Sequence, residues 1–282
     1  MKRLNDTITI RVLKTTEDMR LVQQLEETIW GMGSIPIHQT LTAVKNGGLM
    51  IGAFDEEKLV GFSYGFAGYK NNEVYLCSHM LGIHPEYQLR GIGKKLKDMQ
   101  LIIAKEMGYN LITWTFDPLE SRNAYLNVSK LYGVVDTYIE NCYGEMEGGL
   151  NAGLPTDRLQ IEWWINSERV ENKWMPKDFN YEQPFQITIS EHNYPLLIEP
   201  YIFEPTQEGY ELPIPSNIQD IKTIDPELAL NWRLQTRKIM QQLFSEGYAL
   251  VAVRKTDDPV NYYQFVKKST IPLHLKGQLH DY

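Results

Sequence analysis

A glycine-rich turn between a strand-like segment and a helix-like segment constrains the fold of this chain most. Residues 73–83, EVYLCSHMLGI, are typical of a strand, and His84-Pro85 ends it because proline cannot donate to a strand ladder. From Gly91 onward the apolar residues follow a helical spacing until Gly108. A strand, a glycine turn and a helix in this order indicate an α/β fold with an anion site at the start of the helix.

The turn departs from the two common phosphate-binding motifs. The dinucleotide pattern G-x-G-x-x-G requires a third glycine where Leu96 stands. The P-loop pattern requires a glycine at Gln88 and a serine or threonine at Lys95. What remains is Q-x-x-G-x-G over residues 88–93, whose glycines admit a close ligand and whose first helical amides are free. These features predict a bound phosphate or pyrophosphate, with Arg90 and Lys94 adding positive charge.

The other segments alternate between strand-like and helix-like patterns up to about residue 170. Residues 168–224 are rich in Pro, Tyr and Glu, and a helix and two strands are predicted after them. We therefore expect a domain over residues 1–170 and an α+β extension over residues 171–282. The predicted elements of the first part are strands at 7–13, 49–54, 59–67, 73–83, 111–116, 134–143 and 159–165, and helices from 16, 38, 91 and 121.

The net charge and the number of cysteines limit which cellular compartment and which binding partners are expected. The formal net charge is −8, which opposes binding to nucleic acid or to an anionic membrane. Lys94, Lys95 and Lys97 are interpreted as a solvated helix face rather than a nucleic-acid patch. Two cysteines in 282 residues indicate a reducing, cytoplasmic compartment, and no segment has the ~18 apolar residues that a membrane span needs.

The run Met80-Leu-Gly-Ile-His-Pro85, followed by Q-x-x-G-x-G, resembles the acyl-CoA-binding motif of the GCN5-related N-acetyltransferases (GNAT). The order of predicted elements over about residues 7–170 is similar to that superfamily's fold. The resemblance implies a mixed, mostly antiparallel sheet whose central strands splay apart and are flanked by helices. It also implies acetyl-CoA or another acyl-CoA as cosubstrate and a small-molecule amine as acceptor.

The resemblance further implies which residues bind the cosubstrate. Leu81 and Ile83 would offer backbone groups to the pantetheine arm, and Asn123 would take a polar contact. In the family's second helix a tyrosine often protonates the departing thiolate, and Val128 stands at that position when Lys130 anchors the alignment. The predicted pyrophosphate turn comprises Gln88, Leu89, Arg90, Gly91, Ile92, Gly93 and Lys94.

The catalytic candidates follow from the chemistry of acyl transfer, which needs a path for the amine's proton. His79 is the predicted base because its ordinary pKa of ~6.5 is close to neutral pH, and strand alternation places it with Leu81 on one face. The alternative is that His79 only packs in the sheet. Tyr132 and Tyr138 are candidates for the missing acid.

Asp117 is a candidate for binding a substrate ammonium, and the alternative is that it caps the helix beginning near Ser121 or pairs with Arg122. Cys77 and His79 share a strand without further ligands at a suitable spacing, so we expect no metal. A non-catalytic acyl-CoA sensor remains the alternative to the enzyme. The extension would either cover the acceptor site or hold two chains together as a homodimer.

Overall fold

The computed structural model describes residues 8–31, 34–144, 153–177, 179–190, 194–198 and 203–274. The chain divides into two compact units, Met1–Trp114 and Thr115–Tyr282. No described helix has both the length and the apolar character that crossing a membrane requires.

The strands of the first unit are β1 (Thr9–Val12), β2 (Leu49–Asp55), β3 (Lys58–Lys70), β4 (Glu73–Ile83) and β5 (Leu111–Phe116), and the unit ends within β5. They form a sheet in the order β1-β2-β3-β4-β5. All neighbours are antiparallel except β4 and β5, which are parallel. This is the mixed, mostly antiparallel sheet that the family resemblance implies. The helices are α1 (Thr16–Trp30), α2 (Ile37–Lys45) and α3 (Ile92–Glu106).

Helices cover both faces of this sheet. Phe62 and Tyr64 of β3 pack in a core cluster with Met19 and other residues of α1 and α2. The alternate residue Ser63 accepts a hydrogen bond from Gln100 of α3. Because successive strand residues point to opposite faces, α3 lies on the face opposite α1 and α2.

A β-bulge interrupts β4 in front of its last residues. Tyr64 pairs with Met80 and Phe66 pairs with Cys77, so two residues of β4, Ser78 and His79, oppose one residue of β3. The bulge reverses the alternation. His79 contacts rings on the α1 side, whereas Leu81 lies next to Gly93 on the α3 side. The prediction that His79 and Leu81 share a face is therefore wrong.

The strands of the second unit are β6 (Val134–Ile139), β7 (Arg158–Trp164), β8 (Tyr181–Glu182), β11 (Gly209–Pro215), β12 (Tyr248–Arg254) and β13 (Val260–Lys267), and a separate hairpin is formed by β9 (Gln186–Ile189) and β10 (Pro195–Ile198). The six strands outside the hairpin form a sheet in the order β7-β6-β12-β13-β11-β8. Elements from both sides of residue 170 belong to this sheet, and the domain boundary near residue 170 stays a prediction. The helices are α4 (Ser121–Ala124), which continues as a π-helix over Tyr125–Lys130, α5 (Glu168–Glu171), α6 (Ile218–Ile224) and α7 (Pro226–Ser245).

Candidate functional site

The glycine turn joins β4 to α3 through two residues with left-handed backbone. After Ile83 a short 3₁₀ turn covers Pro85–Tyr87, and α3 begins at Ile92. Leu89 has φ +62° and Gly91 has φ +76°. A left-handed leucine is unfavourable, and this one is also 93% exposed. Such strain on an exposed apolar residue is typical of functional loops.

The amides at the start of α3 are not paired with any acceptor in the part of the chain that the structure describes. Tyr87 donates to the His84 carbonyl at 2.8 Å, and the first helical bond runs from Lys95 to the Gly91 carbonyl at 3.2 Å. Within the described ranges, no acceptor is recorded for the amides of residues 91–94, and no side chain caps the helix. These N–H groups and the helix dipole together favour an anion.

Gly93 has no intramolecular reason to be glycine. Its φ is not positive, and an added Cβ would meet only the Leu81 Cδ2 atom, at 3.7 Å. A glycine inside a helix costs about 1 kcal/mol relative to alanine. The space in front of Gly93 is therefore available to a ligand that approaches the backbone closely, as a diphosphate at this turn would do.

Polar and cationic side chains surround the turn. The guanidinium carbon of Arg90 lies 4.7 Å from the centroid of the Tyr87 ring, and the Tyr87 hydroxyl donates to Asp55 at 2.7 Å. Lys94 forms an exposed ion pair with Asp98 at 2.6 Å. Gln88 is also exposed. The cations therefore stand at the surface of the turn, where an exposed ion pair such as that of Lys94 contributes little to stability.

The backbone groups of Leu81 and Ile83 turn away from β3. In an antiparallel pair, alternate residues direct their N–H and C=O groups toward the partner strand. His84 donates to the Val60 carbonyl at 2.9 Å, so His84 and Gly82 face β3. The groups of Leu81 and Ile83 consequently point to the other side, as the resemblance implies for contacts with an acyl-CoA arm.

His79 lies beside two aromatic rings, and its side chain is partly exposed. Its ring centroid is 6.3 Å from that of Tyr64 and 5.7 Å from that of Phe66. Partial burial lowers the pKa of His79 below its ordinary value, so the imidazole is neutral at pH 7. A neutral imidazole can accept a proton, but its role as the base stays a prediction.

Asp117 and Tyr138 lie in the second unit and are already bound to other side chains. The Asp117 carboxylate accepts from Arg233 at 2.6 Å and lies 3.6 Å from Arg158. The Tyr138 hydroxyl donates to the buried Asp157 at 2.5 Å. Burial and this carboxylate raise the pKa of Tyr138 well above its ordinary value. In the described part of the chain Asp117 thus pairs with Arg233 and Arg158 and not with the predicted Arg122. Its role in binding a substrate ammonium stays a prediction, and proton donation by Tyr138 is made harder.

Three further positions of the second unit differ in exposure. Tyr132 is half-buried with φ +61°, and its carbonyl accepts from Arg169 at 2.9 Å. Asn123 is exposed on α4, and Val128 is fully buried in the π-helix. The roles of Tyr132 and Asn123 stay predictions.

The sequence-based interpretation of Lys97 as part of a solvated face is wrong. Lys97 is only 2% exposed, and its Nζ atom donates to Ser78 at 2.8 Å and to Gln100 at 3.1 Å. Burial lowers the pKa of Lys97 to about 7. The missed signal is the helical spacing of residues 93, 97, 100 and 104, which lie on one face of α3.

The described residues contain no group of three or more His, Cys, Asp or Glu side chains that could hold a metal ion. Cys77 is a free thiol whose pKa is raised by burial. A raised pKa makes a reactive thiolate less available.

Comparisons with known proteins concern mainly the first half of the chain. Residues 17–126 match the model of the acetyltransferase (GNAT) family. No curated protein matches the chain significantly. Similar solved structures include the ribosomal-protein-S18-alanine N-acetyltransferase from Escherichia coli, with 16% identity, 62% of this chain and 100% of that chain covered, and a TM-score of 0.45.

Two more solved structures have comparable similarity. Arabidopsis thaliana Naa50 in complex with the bisubstrate analogue CoA-Ac-MVNAL has 14% identity and a TM-score of 0.44, covering 55% of this chain and 97% of that one. An N-acetyltransferase from Staphylococcus aureus Mu50 has 15% identity and a TM-score of 0.43, covering 56% and 98%. The family assignment rests on the sequence match and the sheet. Over residues 17–126 the chain therefore matches the GNAT acetyltransferase family, and this match indicates an enzyme of the N-acetyltransferase class.

Proposed function

We propose that this protein transfers an acetyl or other short acyl group from acyl-CoA to a primary amine of a small molecule, such as an amino-acid derivative. The observation that carries the proposal is the turn over residues 88–94. Within the described ranges no acceptor is recorded for the amides of residues 91–94, and the space at Gly93 is open to a ligand. An acyl-CoA supplies an activated thioester, and its diphosphate suits this turn.

In this proposal the backbone of β4 orients the thioester. The amides of Leu81 and Ile83 point away from β3 and are available to hold the arm and to polarise a carbonyl oxygen. The amine must be neutral to attack, and His79 takes its proton, directly or through one water. Attack forms the C–N bond and breaks the C–S bond, and the CoA thiolate leaves with that proton or another.

The acceptor is proposed as a small molecule, and a cytoplasmic location and a homodimer remain predictions from the sequence. Asp117 is a weaker candidate for binding the acceptor's ammonium than the sequence suggests, because Arg233 and Arg158 already neutralise it. A carboxylate with two cationic neighbours gains little from a third.

The test is calorimetric binding of CoA to the wild type and to Gly93→Ala. An alanine at this position is accommodated by the helix and should leave folding unchanged or raise stability by about 0.5–1 kcal/mol. A Cβ in front of the amides should nevertheless weaken CoA binding by at least about tenfold, or roughly 1.4 kcal/mol. Ile102→Ala, on the exposed side of the same helix, is the matched control.

Unchanged CoA affinity in Gly93→Ala would remove the site assignment. Turnover is tested separately by incubating the protein with acetyl-CoA and a panel of primary amines and measuring free thiol. Release that depends on an amine supports the transferase. Tight CoA binding with no release for any amine would instead favour the acyl-CoA sensor.

A further inference from the structure

The strands β4 and β5 separate at a fork whose position the strand register defines. In the described part of the chain their ladder consists of two pairs, Leu76 with Ile112 and Cys77 with Thr113. The next residues in parallel register are Ser78 on β4 and Trp114 on β5. We call the place between Ser78 and Trp114 the fork. It lies at the bulge that precedes the backbone groups of Leu81 and Ile83.

The amine of Lys97 bridges the side chains of the two residues that define the fork. Its Nζ atom donates to the Ser78 hydroxyl at 2.8 Å and lies 3.6 Å from the centroid of the Trp114 ring. It therefore touches the first residue of each strand beyond the ladder. A cation over the face of an indole is attracted by the ring quadrupole, so both contacts are favourable to the ammonium form.

A buried hydrogen-bond network fixes this amine in place. Lys97 also donates to the Gln100 side-chain oxygen at 3.1 Å, which accepts from Ser78 as well at 3.1 Å. The Gln100 amide then donates to Ser63 of β3 at 3.1 Å. Ser63 pairs with Leu81. The network thus ties α3 to β4 at the bulge and to the strand beside Leu81.

A lysine at position 97 lowers the stability of the folded protein. Lys97 is 2% exposed, and none of the ion pairs recorded among the described residues gives it a carboxylate partner. Burial lowers its pKa to about 7, which reflects the cost of keeping the charge out of water. Methionine or leucine would fill the same space without that cost. Features that reduce stability in this way are often retained for function.

We propose that Lys97 is a positioning residue that wedges β4 and β5 apart and so shapes the cleft for the acyl-CoA arm. The inference rests on the proposed function and deepens it. Without the amine, Ser78 keeps only its hydrogen bond to Gln100 of α3, and the bulge is freer to relax toward continued pairing with β5. The diphosphate turn lies one helical turn earlier, at residues 91–94, and does not depend on these contacts.

The experiment compares the binding of whole CoA with the binding of its nucleotide half alone. Affinities for CoA and for its nucleotide fragment, 3′-phospho-ADP, are measured by calorimetry for the wild type, Lys97→Met and Ser78→Ala. We expect both variants to bind CoA about tenfold more weakly and the fragment within about twofold of the wild type. Ser78→Ala removes the same hydrogen bond from the other side. Lys95→Met, an exposed lysine on the same helix, is the control.

Each outcome supports or overturns the proposed role of Lys97. Equal weakening for CoA and fragment would mean that Lys97 acts on the turn or on the fold as a whole, and it would overturn the wedge. Unchanged CoA affinity in both variants would overturn it as well. If the wild type binds neither compound, the proposed function itself fails, and the wedge fails with it. Circular dichroism of the variants establishes that each is folded.

Discussion

Replacing Lys97 with methionine should stabilise the protein at neutral pH. The pKa of Lys97 falls from 10.5 to about 7 in the folded state. At ~1.36 kcal/mol per pKa unit, the charged form loses roughly 5 kcal/mol of folding free energy at and below pH 7. Methionine also loses two hydrogen bonds, at about 1 kcal/mol each. The contact of the ammonium with the Trp114 ring is already contained in the folded pKa, so the net gain expected at pH 7 is roughly 3 kcal/mol.

The direction in which the free energy of unfolding changes with pH provides a sharper test of the lowered pKa of Lys97. Because its folded pKa lies below its unfolded pKa, the unfolded chain binds more protons between about pH 7 and 10.5. The free energy of unfolding of the wild type should therefore rise with pH over this window. The methionine variant lacks this rise. It should be more stable than the wild type at pH 7 and, having lost the hydrogen bonds, less stable near pH 10.

The free energy of unfolding of the wild type and of Lys97→Met is measured by urea unfolding, followed by circular dichroism, at several pH values between 6.5 and 10. Lys95→Met, at an exposed position, is the control. A variant that is less stable than the wild type at every pH, by the same amount, would refute the reasoning. It would mean that Lys97 keeps an ordinary pKa and is not held in a buried site.

Three other predictions concern the remaining candidates. Asp117→Asn should destabilise the protein by about 3–5 kcal/mol in denaturant unfolding, because it leaves the buried Arg233 without its counter-ion; a change below 1 kcal/mol would contradict the ion pair. The pH profile of kcat/KM should show an acid limb below ~6.5 that His79→Gln abolishes, since burial lowers the pKa of that imidazole; an unchanged profile would exclude His79 as the base. Tyr138→Phe should leave kcat within about threefold, because its proton is held by a carboxylate; a loss of 10²-fold or more, the lower end for general acid–base catalysis, would restore it as the acid.

Prediction from the sequence works best for elements whose residue pattern and end signals both lie within the element or next to it. The strands β4 and β5 have the predicted bounds, because each is an uninterrupted apolar or alternating run between clear breakers. β11 was missed because Pro213 and Pro215 argue against a strand. It tolerates them because β8 pairs with only its first two residues, Gly209 and Tyr210.

The turn of the candidate site could be predicted from the sequence, but the buried residues behind the turn could not. Glycine spacing identifies residues 88–94 because backbone geometry depends on local residue types. The β4 bulge depends on the pairing with β3, and this pairing leaves no mark in the sequence of β4 itself. The helical spacing of apolar residues predicted for α3 holds only in part. Leu96 is buried as expected, whereas Met107 is 41% exposed and the structure buries Lys97 and Gln100.

The helix predicted over residues 121–131 illustrates a third limit. It is a short α-helix followed by a π-helix, in which the Leu131 amide donates to the Leu126 carbonyl. A π-helix adds a residue per turn, so a family motif aligned by α-helical spacing shifts along it. The position of Val128 relative to the family's tyrosine is therefore not decided by counting residues.

The central claim is that the amides of residues 91–94 hold the diphosphate of an acyl-CoA. A crystal structure of the protein with CoA tests it most directly. We predict diphosphate oxygens within hydrogen-bonding distance, about 2.7–3.2 Å, of at least two of these amide nitrogens. CoA bound elsewhere on the protein, or these amides paired with protein acceptors in the complex, would contradict the account.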